Sequence, residues 1–163
     1  MASCTIVDGS ENRTVGMGQI ALARPPATLS AILGSCVGVA LYHARLHLAA
    51  LAHVVLPESS GRDGSLAKFA DHAVPAIIQQ LEQCGALRSG LTAKLAGGAC
   101  MFGIGGPLQV GLANVEAVAR ALAATGIRVA GQDVGGNKGR RVKFDPATGA
   151  MLVEIIGSPP RTL

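Results

Sequence analysis

Aromatic side chains are nearly missing from this sequence. Of its 163 residues 2% are aromatic, with no Trp, one Tyr and three Phe, although 49% are hydrophobic. A chain of this length is read as one domain, residues 1–163, with an interior of its own. That interior must be packed from Ala, Val, Leu and Ile, and stacking platforms for single-stranded nucleic acid are lacking.

Charge is sparse too, at 15% of residues, and the net +4 is not gathered into a polybasic arm. Such a bias suits acidic protein partners and does not by itself argue for nucleic acid. GGNKGRR (135–141) has the glycines and positive charge of a backbone-clamping loop, but without aromatics no nucleic-acid partner is expected. No run of about twenty apolar residues is present, which excludes membrane insertion by a helix. MASCTIVDGSENR lacks both the basic and the apolar part of a secretory leader. The cysteines at 4, 36, 84 and 100 have no CxxC or zinc spacing, so a cytoplasmic, reduced and soluble protein is expected.

Metal and cofactor signatures are equally thin. His43 and His47 stand four apart but fall in a turn without the Glu of an HExxH site, and His72 has no ligand partner near it in sequence. MFGIGGPL (101–108) lacks the third Gly and the strand-to-helix setting of a dinucleotide fingerprint. Neither a metal nor a cofactor is expected.

What the chain does have is β-pattern and two helical stretches. Residues 1–15 read as a loose lead-in, MGQIALAR (17–24) as a first strand, ATLSAILGSC as the approach to the next, and ESSGRDGS (58–65) as a loop. Apolar spacing predicts a helix over 66–84, with Asp71 as cap, Pro75 in its first turn or kinking it, and Gly85 as its stop. Leu91 to Met101 reads as a strand broken by Gly97 and Gly98, and MFGIGGPLQVG as a flexible turn. A second helix is capped by Asn114 and stopped by Gly126; three further strands follow before a tail, 157–163, that should fray. Two helices against roughly seven strands argue for an α+β fold.

The stretch from Leu33 to Pro57, LGSCVGVALYHARLHLAALAHVVLP, carries the chemistry. It reads as two strands with a reversal at HARLH. A two- or four-residue loop centred on Ala44 and Arg45 makes facing positions sum to 89, which sets Cys36 opposite His53 with Cβ atoms roughly 4.5–5.5 Å apart. A thiol becomes a nucleophile as thiolate, and an imidazole beside it can take the proton. Backbone N–H groups around Gly34 and Ser35 are candidate oxyanion donors. The same two residues also suit a small buried Cys on a core strand and a satisfied His at a strand end. Pattern alone leaves both readings open.

LGSCVGVALY followed by LAHVVLP resembles the signature of the CheD family of chemoreceptor glutamine deamidases, and KLAGGACMF (94–102) and DVGGNKGRRVKFDPATG (133–149) continue the likeness in the same order. The resemblance implies Cys36 as nucleophile and His53 as general acid and base. It puts Ser30, six residues before the Cys, in the place of a family Thr that orients the His, and Cys100 where Asn is usual. It also implies packed mixed β-sheets flanked by helices, like the cysteine deamidases of the cytotoxic necrotising factor type. The implied substrates are glutamines of methyl-accepting chemotaxis receptors, with a CheC-type phosphatase as a further partner. Two alternatives accompany it: a transglutaminase-like thiol acyltransferase, and a non-catalytic module that binds such a phosphatase.

Overall fold

The computed structural model describes residues 4–101 and 109–163. In chain order these form β1 (Ile6–Val7), β2 (Asn12–Thr14), β3 (Ile20–Ala23), β4 (Thr28–Leu33), β5 (Val37–His43), β6 (Leu48–Val54), α1 (Ala70–Gln83), β7 (Leu91–Gly97), α2 (Val110–Thr125), β8 (Arg128–Val134), β9 (Arg140–Asp145), β10 (Ala150–Glu154) and β11 (Arg161–Thr162). One mixed sheet runs β1-β3-β6-β5-β7-β8 and the other β11-β10-β9-β4-β2. The described residues thus make an α+β fold with two helices, as expected, but with more and shorter strands than the pattern suggested.

Alternation along β5 and β6 explains the layering. Val37, Val39 and Leu41 join Leu48, Ala50, Ala52 and Val54 in one core, beneath Ala73, Ile77 and Leu81 of α1 and Val118 and Leu122 of α2. Ala40, Ala49 and Leu51 face the other way, onto Leu29, Ala31, Leu33, Val142, Phe144, Met151 and Val153 of the second sheet. Strands β5 and β6 are therefore buried on both faces, which is why they read as apolar almost throughout, whereas the edge strand β8 is largely exposed. Alanines fill part of the gap between the sheets, and at one end of it Tyr42 meets Phe144 edge-on with centroids 5.6 Å apart and donates to Pro146 O at 2.9 Å.

Several expectations are corrected. Residues 4–15 are no loose lead-in, since β1 pairs with β3 and β2 with β4. The tail also pairs: Leu163 exchanges backbone hydrogen bonds with Met151. Phe69, not Asp71, occupies the N-cap of α1, and Pro75 lies inside the helix. The Asp71 carboxylate accepts from Ser59 N at 3.0 Å and Ser59 Oγ at 2.8 Å. Burial would raise its pKa, but those bonds outweigh it and hold the carboxyl below its usual value. Helix α2 starts at Val110, so Asn114 lies in its interior, not at its cap. Not all four cysteines are free thiols: Cys4 and Cys84 form a disulfide, joining the first strand's approach to the end of α1, while Cys36 and Cys100 are unpaired. The expectations for 101–108 concern residues that, after Met101, lie outside those described. Gly126 stops α2 at φ 74°, as read from the sequence.

Leu51, fully buried between the sheets, is the natural probe of this layering. Leu51→Ala should cost about 2–5 kcal/mol in urea unfolding, whereas a loss below about 1 kcal/mol would contradict a shared inter-sheet core.

Candidate active site

Hairpin register decides which side chains meet. The loop between β5 and β6 takes four residues, 44–47, with Ala44–Leu46 in a 3-10 turn and His47 left-handed at φ 48°. His43 therefore faces Leu48, and His53 faces Gly38. The facing positions sum to 91, so Cys36 is not directly opposite His53. The slip is two residues, and because side chains alternate with period two it leaves both on the same face. That face is the inter-sheet one, where Cys36 packs with Leu33, Ala40 and Leu51. Cys36 stands one residue before β5, so it is this packing, and not a ladder pair, that puts it on the His53 face. Both are buried, with Cys36 8% and His53 4% exposed.

The segment 15–19 wraps His53. Gly18 N donates to His53 O at 2.9 Å, and His53 N donates to Gln19 O at 3.0 Å. Its ring Nδ1 lies 2.9 Å from Val15 O. A carbonyl oxygen only accepts, so Nδ1 carries the proton and Nε2 keeps the lone pair needed by a general base. Val15 is held in turn, its N donating to Ser30 O at 2.7 Å.

Ser30 does not orient His53 with its hydroxyl. On β4 the residues Leu29, Ala31 and Leu33 point into the sandwich, which turns Ser30 to the outer side. There its Oγ accepts from Asn12 Nδ2 at 3.1 Å and lies 3.4 Å from Thr14 Oγ1. Ser30 reaches the imidazole only through its backbone carbonyl and Val15. Strand parity cannot be carried from Ser30 to Cys36, because β4 ends at Leu33 and residues 34–36 cross from one sheet to the other.

Those crossing residues are tied down one carbonyl at a time. Gly34 O accepts from Ala99 N at 3.0 Å and Cys36 O from Gly98 N at 2.8 Å. Ser35 O accepts from Asn114 Nδ2 at 3.0 Å, and the same amide donates to Val55 O at 2.9 Å, two residues beyond His53. Gly97 and Gly98 have positive φ, 106° and 67°, and a Cβ on Gly97 would overlap the Cys36 carbonyl oxygen. This is the close backbone approach that the glycine pair suggested. Gly97 O accepts from Gly135 N, and Gly136 O from Cys100 N, each at 2.9 Å, so the DVGGNKGRR segment abuts the end of β7. Buried Arg140 holds that turn through Asp133 O at 2.7 Å, Asp133 Oδ1 and Gly135 O. Nothing in the structure explains the sulfur of Cys100.

Burial pushes the Cys36 thiol above its ordinary pKa, and its own backbone N–H only partly offsets this. The resting sulfur is therefore a neutral thiol, and a base must take its proton when it attacks.

Sequence reasoning missed Val15 and Asn114. A main-chain carbonyl leaves no residue-type signal. Asn114 leaves one, an Asn among helix formers, but the same signal suits a helix cap, where Asn is common.

A sequence profile of the family described as CheD chemotactic sensory transduction matches residues 55–155. Similar proteins run nearly the whole length: the chain is 38% identical to the chemoreceptor glutamine deamidase CheD of Thermotoga maritima over 89% of this chain and 92% of that protein. It belongs to the CheD family. It is also 44% identical to a probable chemoreceptor glutamine deamidase CheD of Symbiobacterium thermophilum, over 88% of this chain and 92% of that one. For a protein of the same description from Archaeoglobus fulgidus the identity is 42%, over 86% and 90%. Among solved structures, the hypothetical protein YfiH of Bacillus licheniformis overlaps 72% of this chain and 49% of its own length, with 17% identity and a TM-score of 0.43.

Since folding raises the thiol pKa, the folded state keeps its proton to higher pH than the unfolded chain. Stability from the neutral thiol is present below the unfolded thiol value and is lost as pH rises through the folded one. Urea unfolding from pH 7 to 10 should show this loss in the native protein, with a shallower one in Cys36→Ala. Iodoacetamide labelling of Cys36 should have its midpoint above the free-thiol range; a midpoint lower than a free thiol's would contradict the burial argument.

Proposed function

We propose that this protein is a chemoreceptor glutamine deamidase, hydrolysing glutamine side-chain amides of methyl-accepting chemotaxis receptors. The observation that carries the reading is the Val15 carbonyl on Nδ1 of buried His53, which leaves Nε2 as base, on the sheet face where Cys36 packs into the inter-sheet core. Membership of a family whose curated relatives bear that name supplies the substrate.

In the proposed reaction the Nε2 of His53 takes the Cys36 proton as the sulfur attacks the amide carbon, so that a neutral thiol becomes nucleophilic only in the presence of substrate. Backbone N–H groups of the 34–36 crossing receive the oxyanion. His53 returns its proton to the departing ammonia, leaving a thioester. It then activates water, which releases glutamate and restores the thiol. Ser30 contributes by fixing Val15 through its backbone carbonyl and β2 through its hydroxyl.

A CheC-type phosphatase as second partner rests on the family resemblance alone. A cytoplasmic setting is proposed as well, since the reaction needs Cys36 reduced; the Cys4–Cys84 disulfide is the feature that pulls the other way. No helix among the described residues is long and apolar enough to cross a membrane.

Incubation with a receptor cytoplasmic fragment should release ammonia and convert specific glutamines to glutamate, read by mass spectrometry. Cys36→Ala and His53→Ala should each lower the rate by at least about 10²-fold. Turnover that survives Cys36→Ala would sink the proposal. If a carbonyl and not a hydroxyl orients the imidazole, Ser30→Ala should keep kcat within about tenfold of the native value, against the larger loss on removing the base itself.

A further inference from the structure

Asn114 belongs to α2, on the side of the central sheet away from Cys36 and His53, yet its one amide group reaches both of their segments. It is fully buried. An Asn in a helix interior carries no advantage for the helix, so its Nδ2 bonds to Ser35 O and Val55 O are what the position supplies.

The peptide between Ser35 and Cys36 is planar and trans, so its C=O and N–H point in opposite directions. Asn114 fixes the Ser35 oxygen on the helix side of the sheet. The Cys36 N–H is thereby aimed at the opposite side, between the sheets, where the Cys36 sulfur packs. Consistent with this, the Cys36 N–H is the backbone group that favours the thiolate of its own residue. Beside it, Gly34 O is bound to Ala99 N, which by the same rule turns the Ser35 N–H away from β7.

We propose that Asn114 is a positioning residue that sets the oxyanion hole: its amide aims the Cys36 N–H at the carbonyl oxygen of the group under attack and locks that peptide to the segment following His53. This rests on Cys36 acting as an acyl-accepting nucleophile, as proposed above, but not on the receptor being the substrate. It assigns to a residue of the second helix a share in stabilising a charge that exists only in the transition state.

Two reagents separate this role from general support of the fold. p-Nitrophenyl acetate acylates a thiol through a tetrahedral oxyanion: the S–C bond forms, the C–O bond breaks, and p-nitrophenolate leaves. Iodoacetamide alkylates the same sulfur by displacing iodide and develops no oxyanion. With Asn114→Ala and Asn114→Ser, the acylation rate of Cys36 should fall roughly tenfold or more, part of the 10²–10³ lost when an oxyanion donor is removed outright. The iodoacetamide rate, and its pH profile, should stay within about twofold of the native protein. On receptor fragment the loss should lie in kcat with KM unchanged.

Equal losses with both reagents, or no loss with either in a folded variant, would overturn the positioning role. Failure of both variants to fold would make Asn114 a structural clamp and overturn it also. Native protein that is acylated at Cys36 but releases no ammonia from receptor would sink the deamidase reading while leaving the Asn114 comparison intact.

Discussion

Chain crossing between two packed sheets cannot satisfy its carbonyls in either ladder, and a buried oxygen left without a donor costs on the order of 1–3 kcal/mol. Residues 34–36 make such a crossing, from the end of β4 in one sheet to the start of β5 in the other. Three donors meet the need: Ala99 N, Asn114 Nδ2 and Gly98 N. Much of what is unusual nearby follows. The end of β7 and the residues after it must come close enough to donate, and a Cβ at Gly97 would meet the Cys36 carbonyl oxygen while one at Gly98 would meet Val115 of α2. Helix α2 must present a polar side chain inward. The 135–139 turn must back the end of β7, which takes a buried arginine to hold it.

The same arrangement rigidifies the proposed nucleophile through its backbone. Cys36 is held by the oxygens before it and on it, so the sulfur keeps its freedom to take an acyl group. His53 is treated likewise, pinned by its own N and O to Gln19 and Gly18 and by Nδ1 to the Val15 carbonyl. Backbone clamps from the end of β7, from α2 and from the 15–19 segment thus converge on Cys36 and His53.

Legibility in the sequence followed what side chains reveal. The β5–β6 hairpin was plain because Val, Leu and Ala alternate between two buried faces, and even a misjudged loop centre left Cys36 and His53 on one face, since an error of two residues preserves parity. Gly97 and Gly98 announced a close approach by lacking side chains. Ser30 misled for the opposite reason: its offset from Cys36 spans a break in the strand, so nothing local indicates which way its hydroxyl points. Val15 was invisible, because the group it offers is one that every residue owns. Short strands such as β1, β2 and β11 have too few residues for a period to register, and their pairing is set by the longer strands they dock on.

A carbonyl as partner for His53 has a consequence for how the proton moves. An aspartate would bring a full negative charge to favour imidazolium, whereas the Val15 oxygen orients the ring and supplies only a dipole. Burial meanwhile disfavours thiolate at Cys36. In the low-dielectric gap between the sheets that leaves the neutral thiol as the resting form. In the proposed reaction the proton is then transferred as the amide carbon arrives, so that charge passes at once from sulfur to the carbonyl oxygen. A site built this way protects its thiol at rest, because oxidants and stray electrophiles react with thiolate far more readily than with thiol. On the proposed reading residue 30 acts on the imidazole through the backbone oxygen that holds Val15, a group that serine and threonine share, while the Ser30 hydroxyl is engaged with Asn12.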